Sequence, residues 1–508
     1  MRHPRWFASP AVLLALASLS LACGSNGSGN AEPTAEAGTP PAGDSGPPSG
    51  QDATTPPIDS GSPDVTTDAG TADVGTASVD AGEFLTVTVL RGGAPESAVL
   101  VVFQQATGEV VATATTNASG SVSRSVIAGS QVTAVLGTTQ NPNLVTVQDV
   151  ENGDMLTLVD SPSTSSPNSP EPVAVTLPTT SWDAAANVTI YAGACTGSTT
   201  SDVYLEPDCT SQGTFPLFAR ATDATGEVAY TYQVGNAVDA DGGPLAITLS
   251  RAWSTSTATE TIEASSVPVV PGDAGVSLGT VGFDYSEVAG GVPLSLQSLS
   301  APVEDGGPEE AYVVHAGYPD FTQQDAYVFL NGLQEDSEVF AVTRTAPSTV
   351  SQTTSLALGT LPVFTGASVN ANDAGSPEQP VLSWTTAGSL SAANGVFVMV
   401  QWSAPPLDGG NVDVNGTWTV VAPATATSVQ APSMPISAAA FTPPASTQYS
   451  APRVVAVQGS FLAGYSAFKS QFATIPVFFP GGNWQPSIPI LPANGLTLYV
   501  SAIYPDEG

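Results

Sequence analysis

Beyond the first few residues the chain has one histidine, His315, in AYVVHAGYPD, with Glu310 and Asp320 close by in sequence. An imidazole near two carboxylates could serve as a general base or a metal ligand. The plainer reading is a strand-end histidine. It is favoured because no nucleophile elbow, HExxH pair or glycine-rich phosphate loop accompanies it. The string GDSGPP (Gly43–Pro48) contains a serine, but a serine nucleophile needs a histidine held by a buried aspartate, and none is at hand. Paired carboxylates leave no sequence signature, so a carboxylate-pair glycoside hydrolase stands as an alternative. Asn411-x-Asp413-x-Asn415-Gly416 spaces three oxygen ligands like the first half of a calcium loop, but Ala422 occupies the twelfth position. Aspartate and glycine are also ordinary turn residues. No cofactor is expected beyond weak calcium binding. Catalytic residues are expected to be absent.

Three cysteines carry more information: Cys23, Cys195 and Cys209. Residues 1–22 have the parts of an export signal, with Arg2 and Arg5 ahead of the apolar stretch Ala11–Leu21. Ser20 and Ala22 suit an ordinary leader peptidase. Leu19-Ser20-Leu21-Ala22-Cys23 also resembles the lipobox of bacterial lipoproteins, with Ser20 standing where an aliphatic residue is usual. That resemblance implies an acylated Cys23 as the anchor. Gly24 rather than aspartate follows it, which in similar enteric lipoproteins permits sorting to the outer membrane. Thiol parity agrees: acylation consumes Cys23 and leaves Cys195 and Cys209 as a pair, expected to be a disulfide in an exported protein.

The formal net charge is −36, and loss of Arg2 and Arg5 with the leader makes it more negative. Such a chain repels phosphate backbones, which excludes nucleic acid as a partner. The membrane is reached through the lipid. Charged residues nevertheless make up 11% of the chain, against about 25% in ordinary globular proteins. Thr, Ser, Ala, Gly and Val take their place, and β-branched residues with frequent glycine and proline favour short strands over helices.

Residues 23–83 read as a disordered tether, rich in proline and acids and free of lysine, arginine and aromatic residues. They hold too little apolar surface to offset the entropy of ordering. Order begins at FLTVTVL, where Leu85, Val87 and Val89 alternate with Thr86 and Thr88 as in a half-buried strand. From there to Leu136 the chain shows Gly93-Ala94-Pro95, AVLVVF (Ala98–Phe103), TGE (Thr107–Glu109), TNASG (Thr116–Gly120) and AGSQVTAVL (Ala128–Leu136). This stretch resembles carboxypeptidase-regulatory-like domains, which are small transthyretin-like β-sandwiches. The family usually has aspartate where Asn117 stands. The resemblance implies a fold and an accessory role rather than an activity.

The expected fold class is all-β: two or three Ig-like or transthyretin-like sandwiches after the tether. The expected domains are 84–160, 173–369 (one domain or two, with the disulfide in a long hairpin loop) and 380–508. VAYTYQV (Val228–Val234) reads as a strand with Tyr230 and Tyr232 on one face. VLSWTT (Val381–Thr386) opens the last domain and loosely resembles an early fibronectin type III strand. VFVMVQW (Val396–Trp402) reads as a central strand. Asn415-Gly416 reads as a type I′ hairpin turn that sets Asp413 across from Trp418. These features together point to a non-enzymatic, lipid-anchored protein of the outer membrane, presenting sandwiches for structural work or for a glycan or cell-surface ligand. Trp402, Trp418 and Trp484 on one exposed face would favour glycan binding; their burial would favour plain cores.

Overall fold

The computed structural model describes residues 84–504 apart from short breaks, the longest being 161–170, 269–279 and 476–490. The leader, Cys23 and the tether lie outside the described residues, as do Cys209, Asp320, Asn411 and Trp484. What is described is built almost wholly of strands in several sheets, an all-β fold of packed sandwiches.

The first stretch contributes β1 (Leu85–Arg91), β2 (Ala94–Pro95), β3 (Leu100–Gln104), β4 (Val110–Thr115), β5 (Ser121–Arg124), β6 (Ser130–Gly137), β7 (Pro142–Val150) and β8 (Met155–Asp160). Leu85, Val87 and Val89 of β1 are fully buried, as the alternation predicts. The TNASG segment makes the turn into β5. Asn117 Oδ1 accepts the N–H groups of Ser119 and Ser121 at 2.9 and 3.1 Å. Gly120, at φ +70°, turns where a Cβ would meet the Val89 carbonyl.

The second stretch contributes β9 (Glu171–Thr176), β10 (Asn187–Ala192), β11 (Cys195–Ser198), β12 (Val203–Leu205), β13 (Thr214–Thr222), β14 (Val228–Ala237) and β15 (Leu245–Thr248). Tyr230 and Tyr232 of β14 are buried, and so are Ala229 and Thr231 on its other face. The segment after Cys195 is not the expected hairpin loop. Its strand β11 pairs with β10, whereas β12 pairs with β9 in a different sheet, so the chain crosses between layers there.

The third contributes β16 (Ala258–Ser265), β17 (Thr280–Ala289), β18 (Val292–Pro302), β19 (Glu309–His315), β20 (Gln323–Asn331), β21 (Ser337–Thr345) and β22 (Gln352–Ala357). The fourth contributes β23 (Phe364–Asn370), β24 (Val381–Thr386), β25 (Gly395–Ala404), β26 (Val414–Ala422), β27 (Ser428–Gln430), β28 (Gln448–Tyr449), β29 (Arg453–Gly459), the helix α1 (Gly464–Gln471) and β30 (Leu496–Ile503). The stretch 173–369 thus holds two strand sets: Ile190, Leu217 and Leu249 form a cluster within the second, while its Tyr191, Phe218, Tyr230 and Tyr232 pack with Ile262, Phe283 and Tyr285 of the third in a shared core.

Strands from three of these sets share one 13-stranded sheet, in the order β18-β17-β20-β21-β30-β29-β25-β26-β7-β6-β3-β4, with β28 beside β25. Two pairings join the sets: β26 runs parallel to β7, and β21 runs antiparallel to β30. One face carries Val101, Val147, Val421, Phe397, Val455, Val500 and Phe340 in a continuous apolar core with β1, β8 and α1. On the other face Val398, Val400 and Trp418 pack against Leu382 and Trp384, while Val328 and Ala341 pack against Ile262 and Leu356. VFVMVQW is the central strand that its sequence predicts, paired on both sides and buried on both faces over Val396–Val398. No helix among the described residues is long and apolar enough to cross a membrane.

Candidate functional site

Two of the few cations in the chain serve as internal struts. Arg344 on β21 faces Asp325 on β20 as its cross-strand partner. Nε and Nη2 donate to the two carboxylate oxygens at 2.7 and 2.6 Å, and Nη1 reaches Gln323 Oε1 at 2.9 Å and the carbonyl of Leu491. Both side chains are shut from solvent. Burial is the main influence on the Asp325 carboxyl and pushes it up, while the guanidinium pulls it back down. Lys469, the sole lysine in the sequence, points from α1 into the core and meets Asp154 at 2.6 Å. It also donates to the Asp149 carbonyl at 2.8 Å. One turn earlier, Tyr465 donates from its hydroxyl to the Gln148 carbonyl at 2.8 Å, which fixes α1 over the β7–β8 turn. Burial, with the charges of Asp149 and Asp154, raises the Tyr465 phenol well above its ordinary value.

The residues singled out for chemistry do not converge. His315 is the last residue of β19, opposite Ala258 on β16. Glu310, on the same strand, is exposed and accepts a hydrogen bond from the Tyr312 hydroxyl at 2.8 Å. That hydrogen bond, together with the charge of Glu310, raises the Tyr312 phenol above its ordinary value. Among the described residues no group of three or more His, Cys, Asp or Glu side chains is placed to hold a metal ion.

Asn415 and Gly416 correct the sequence reading. They are not a turn but lie inside β26, opposite Ser403 and Trp402 of β25, and Trp418 faces Val400 rather than Asp413. The connection between the two strands spans residues 405–413 instead. Gly416 has extended backbone, and its missing side chain is the reason for its presence: the Trp402 indole occupies the space a Cβ would need. Asn415-Gly416 therefore cannot close the half calcium loop read from Asn411. Trp402 and Trp418 are core residues, 3% and 0% exposed, so neither offers an aromatic platform to a sugar. Trp418 Nε1 donates to Thr146 Oγ1 on β7 at 2.9 Å, across the junction of the first and last strand sets.

The same strands carry a cleft of about 690 Å³, within the span of ordinary small-molecule sites. Successive residues of a strand point to opposite faces. Trp402, Gly416 and Tyr449 therefore make one cross-strand row, packed with Ala404 and Val414. On the opposite face Gln448, Ser403 and Asn415 make a second row across β28, β25 and β26. Gln401 and Thr417 make a third beside Ser450. Ser450 Oγ is already committed to the backbone of Gln401, accepting its N–H and donating to its carbonyl, each at 3.2 Å. Asn415 and Gln448 are exposed and the other four half-buried. Apart from the Tyr449 phenol, none of the described residues lining the cleft is an acid, a base or a thiol. Sequence reasoning passed over these six. The signal was there in the alternation of Met399, Gln401 and Ser403 with Val398, Val400 and Trp402, but the apolar run before it masked the change of face.

No family model matches the sequence, and no curated protein matches it. Solved structures give faint likenesses. The Bacillus anthracis TIE protein is 9% identical over 54% of this chain and 51% of its own, with a TM-score of 0.13. The native conformation of E. coli alpha-2-macroglobulin is 11% identical, covering 72% of this chain and 26% of its own, at 0.10. The pilus adhesin SpaC from Lactobacillus rhamnosus GG is 10% identical over 67% and 44%, also at 0.10. The matched parts span about half or less of those proteins, and at such scores the likeness carries no argument.

Proposed function

We propose that this is an exported, lipid-anchored, non-enzymatic protein of the outer membrane that holds a rigid β-body away from the membrane and binds a ligand through the β28-β25-β26 face. The observation that carries this reading is the lining of the cleft: amides and hydroxyls on a strand framework, with no carboxylate, amine, imidazole or thiol among the described residues that line it. Such a surface can form directional hydrogen bonds with an uncharged polar ligand. Among the described residues that line it there is neither a carboxylate pair of the glycoside-hydrolase kind nor a base for a nucleophile, which supports a binding role. An uncharged glycan or cell-surface polymer suits it better than an anionic one, since the chain carries a net charge of −36. Recognition would rest on hydrogen bonds rather than on stacking over Trp402 or Trp418.

Two experiments test the two halves. Labelled palmitate should tag the wild type and not Cys23→Ser; equal labelling removes the anchor. The leaderless protein should bind glycan arrays or whole-cell surfaces saturably without turning over glycoside or peptide substrates, in calcium and in chelator alike. Turnover lost on a single Asp or Glu substitution would replace this reading with the hydrolase.

A further inference from the structure

We infer that Lys469 and Asp154 condense into an intramolecular amide, a covalent strut between α1 and the β7–β8 turn. The two groups already touch: Nζ stands 2.6 Å from Oδ2, with the side chains 3% and 7% exposed. Each is held from a second side. The Asp149 carbonyl accepts from Nζ at 2.8 Å, and the Glu151 N–H donates to Asp154 Oδ2 at 2.8 Å. Both partners are thereby held in contact, which lowers the entropic cost of joining them. Phe468, Tyr465 and Phe472 belong to the surrounding apolar core.

The reaction needs no outside reagent. In the first step the ammonium passes one proton to the carboxylate it touches, giving an amine and a carboxylic acid. The amine lone pair forms the Nζ–Cγ bond. The Cγ–O bond of the acid hydroxyl then breaks, and that oxygen departs as water with a proton from the nitrogen. An ammonium and a carboxylate become one amide and one water. In bulk water the ionised pair and the solvent oppose this; inside the core both oppositions are weakened.

The other buried pair is a built-in control. Arg344 and Asp325 are as well enclosed, but a guanidinium does not give up its proton, so that pair stays ionic. No other lysine competes with Lys469. The bond would tie together parts of the chain far apart in sequence, since Lys469 and Asp149 alone are 320 residues apart.

The test is peptide mass mapping of the full-length protein as isolated. The expected result is a branched peptide joining the Asp154 and Lys469 segments, lighter than their sum by one water. Lys469 should also resist amine-reactive reagent after complete denaturation. Recovery of the two linear peptides alone, with Lys469 reactive once denatured, would overturn the proposal. Both readouts use the wild type, so they hold even if Lys469→Arg fails to fold. Where that variant does fold, it should lose the branched peptide.

Discussion

Trp402 and Gly416 face each other across β25 and β26, and the indole fills the space that a Cβ at position 416 would require. Gly416→Ala should therefore cost about 1–3 kcal/mol through overpacking, seen as a lower denaturant midpoint at unchanged slope. Asn415→Ala should be close to neutral for stability. If the Asn-Gly pair worked as a turn, the two effects would be of similar size.

That pair shows where sequence reading succeeds and where it stops. Leu85, Val87 and Val89 were legible because alternation is a property of the strand itself, as was the doubly buried run at Val396. Asn415-Gly416 misled because short-range turn chemistry was outweighed by a partner on another strand, whose bulky indole demanded a glycine. The shared sheet was not legible at all. Pairing of β26 with β7, or of β21 with β30, joins residues far apart in the chain, such as Trp418 with Leu144 and Arg344 with Leu496, and leaves no local pattern. The candidate cleft was half visible, as an unremarked polar alternation at the end of β25.

The junction between β7 and β26 should make the first strand set unable to stand alone. Residues 84–160 expressed by themselves would leave the β7 edge that faces β26 uncovered, and an open edge recruits other strands. Sedimentation should show concentration-dependent self-association of that fragment, against a monodisperse longer body.

Asp325 and Arg344 offer a test of a buried charge pair. Arg344→Ala should destabilise by about 3–5 kcal/mol, because it strands a carboxylate inside the sheet. The double variant Arg344→Met with Asp325→Leu should recover most of that loss in chemical unfolding. Equal losses in the single and double variants would mean that packing, not charge, dominates there.

Glu338 on β21 predicts a pH dependence. Burial lifts its carboxyl from 4.5 to about 7. The folded chain therefore holds this proton more tightly than the unfolded chain does. The resulting stability is fully present below about pH 4.5 and is lost as pH rises through about 7. Glu338→Gln should remove roughly 2 kcal/mol of the decline between mildly acidic and mildly basic buffer, read from urea midpoints across that range. An unchanged slope would show that the carboxyl is better solvated than its position implies.

If the β28-β25-β26 face binds a ligand, Gln401→Ala and Gln448→Ala should weaken binding by about tenfold each, the loss of one good hydrogen bond. Melting temperature should stay within about a degree, because these side chains are at least partly exposed. A drop in stability without a change in binding would assign them to the scaffold.

The place of β30 sets an order of events during synthesis. It lies between β21 and β29, and Thr343 Oγ1 reaches the carbonyl of Leu496, 153 residues later, across the pairing. While the chain emerges from a ribosome or an export channel, β21 and β29 each wait with an open edge, and the large sheet exists as two separate halves. Only when residues 496–503 arrive can one strand close both. A message cut short before that point would release a product in which neither half of the sheet is sealed, prone to aggregation and a ready substrate for quality-control proteases.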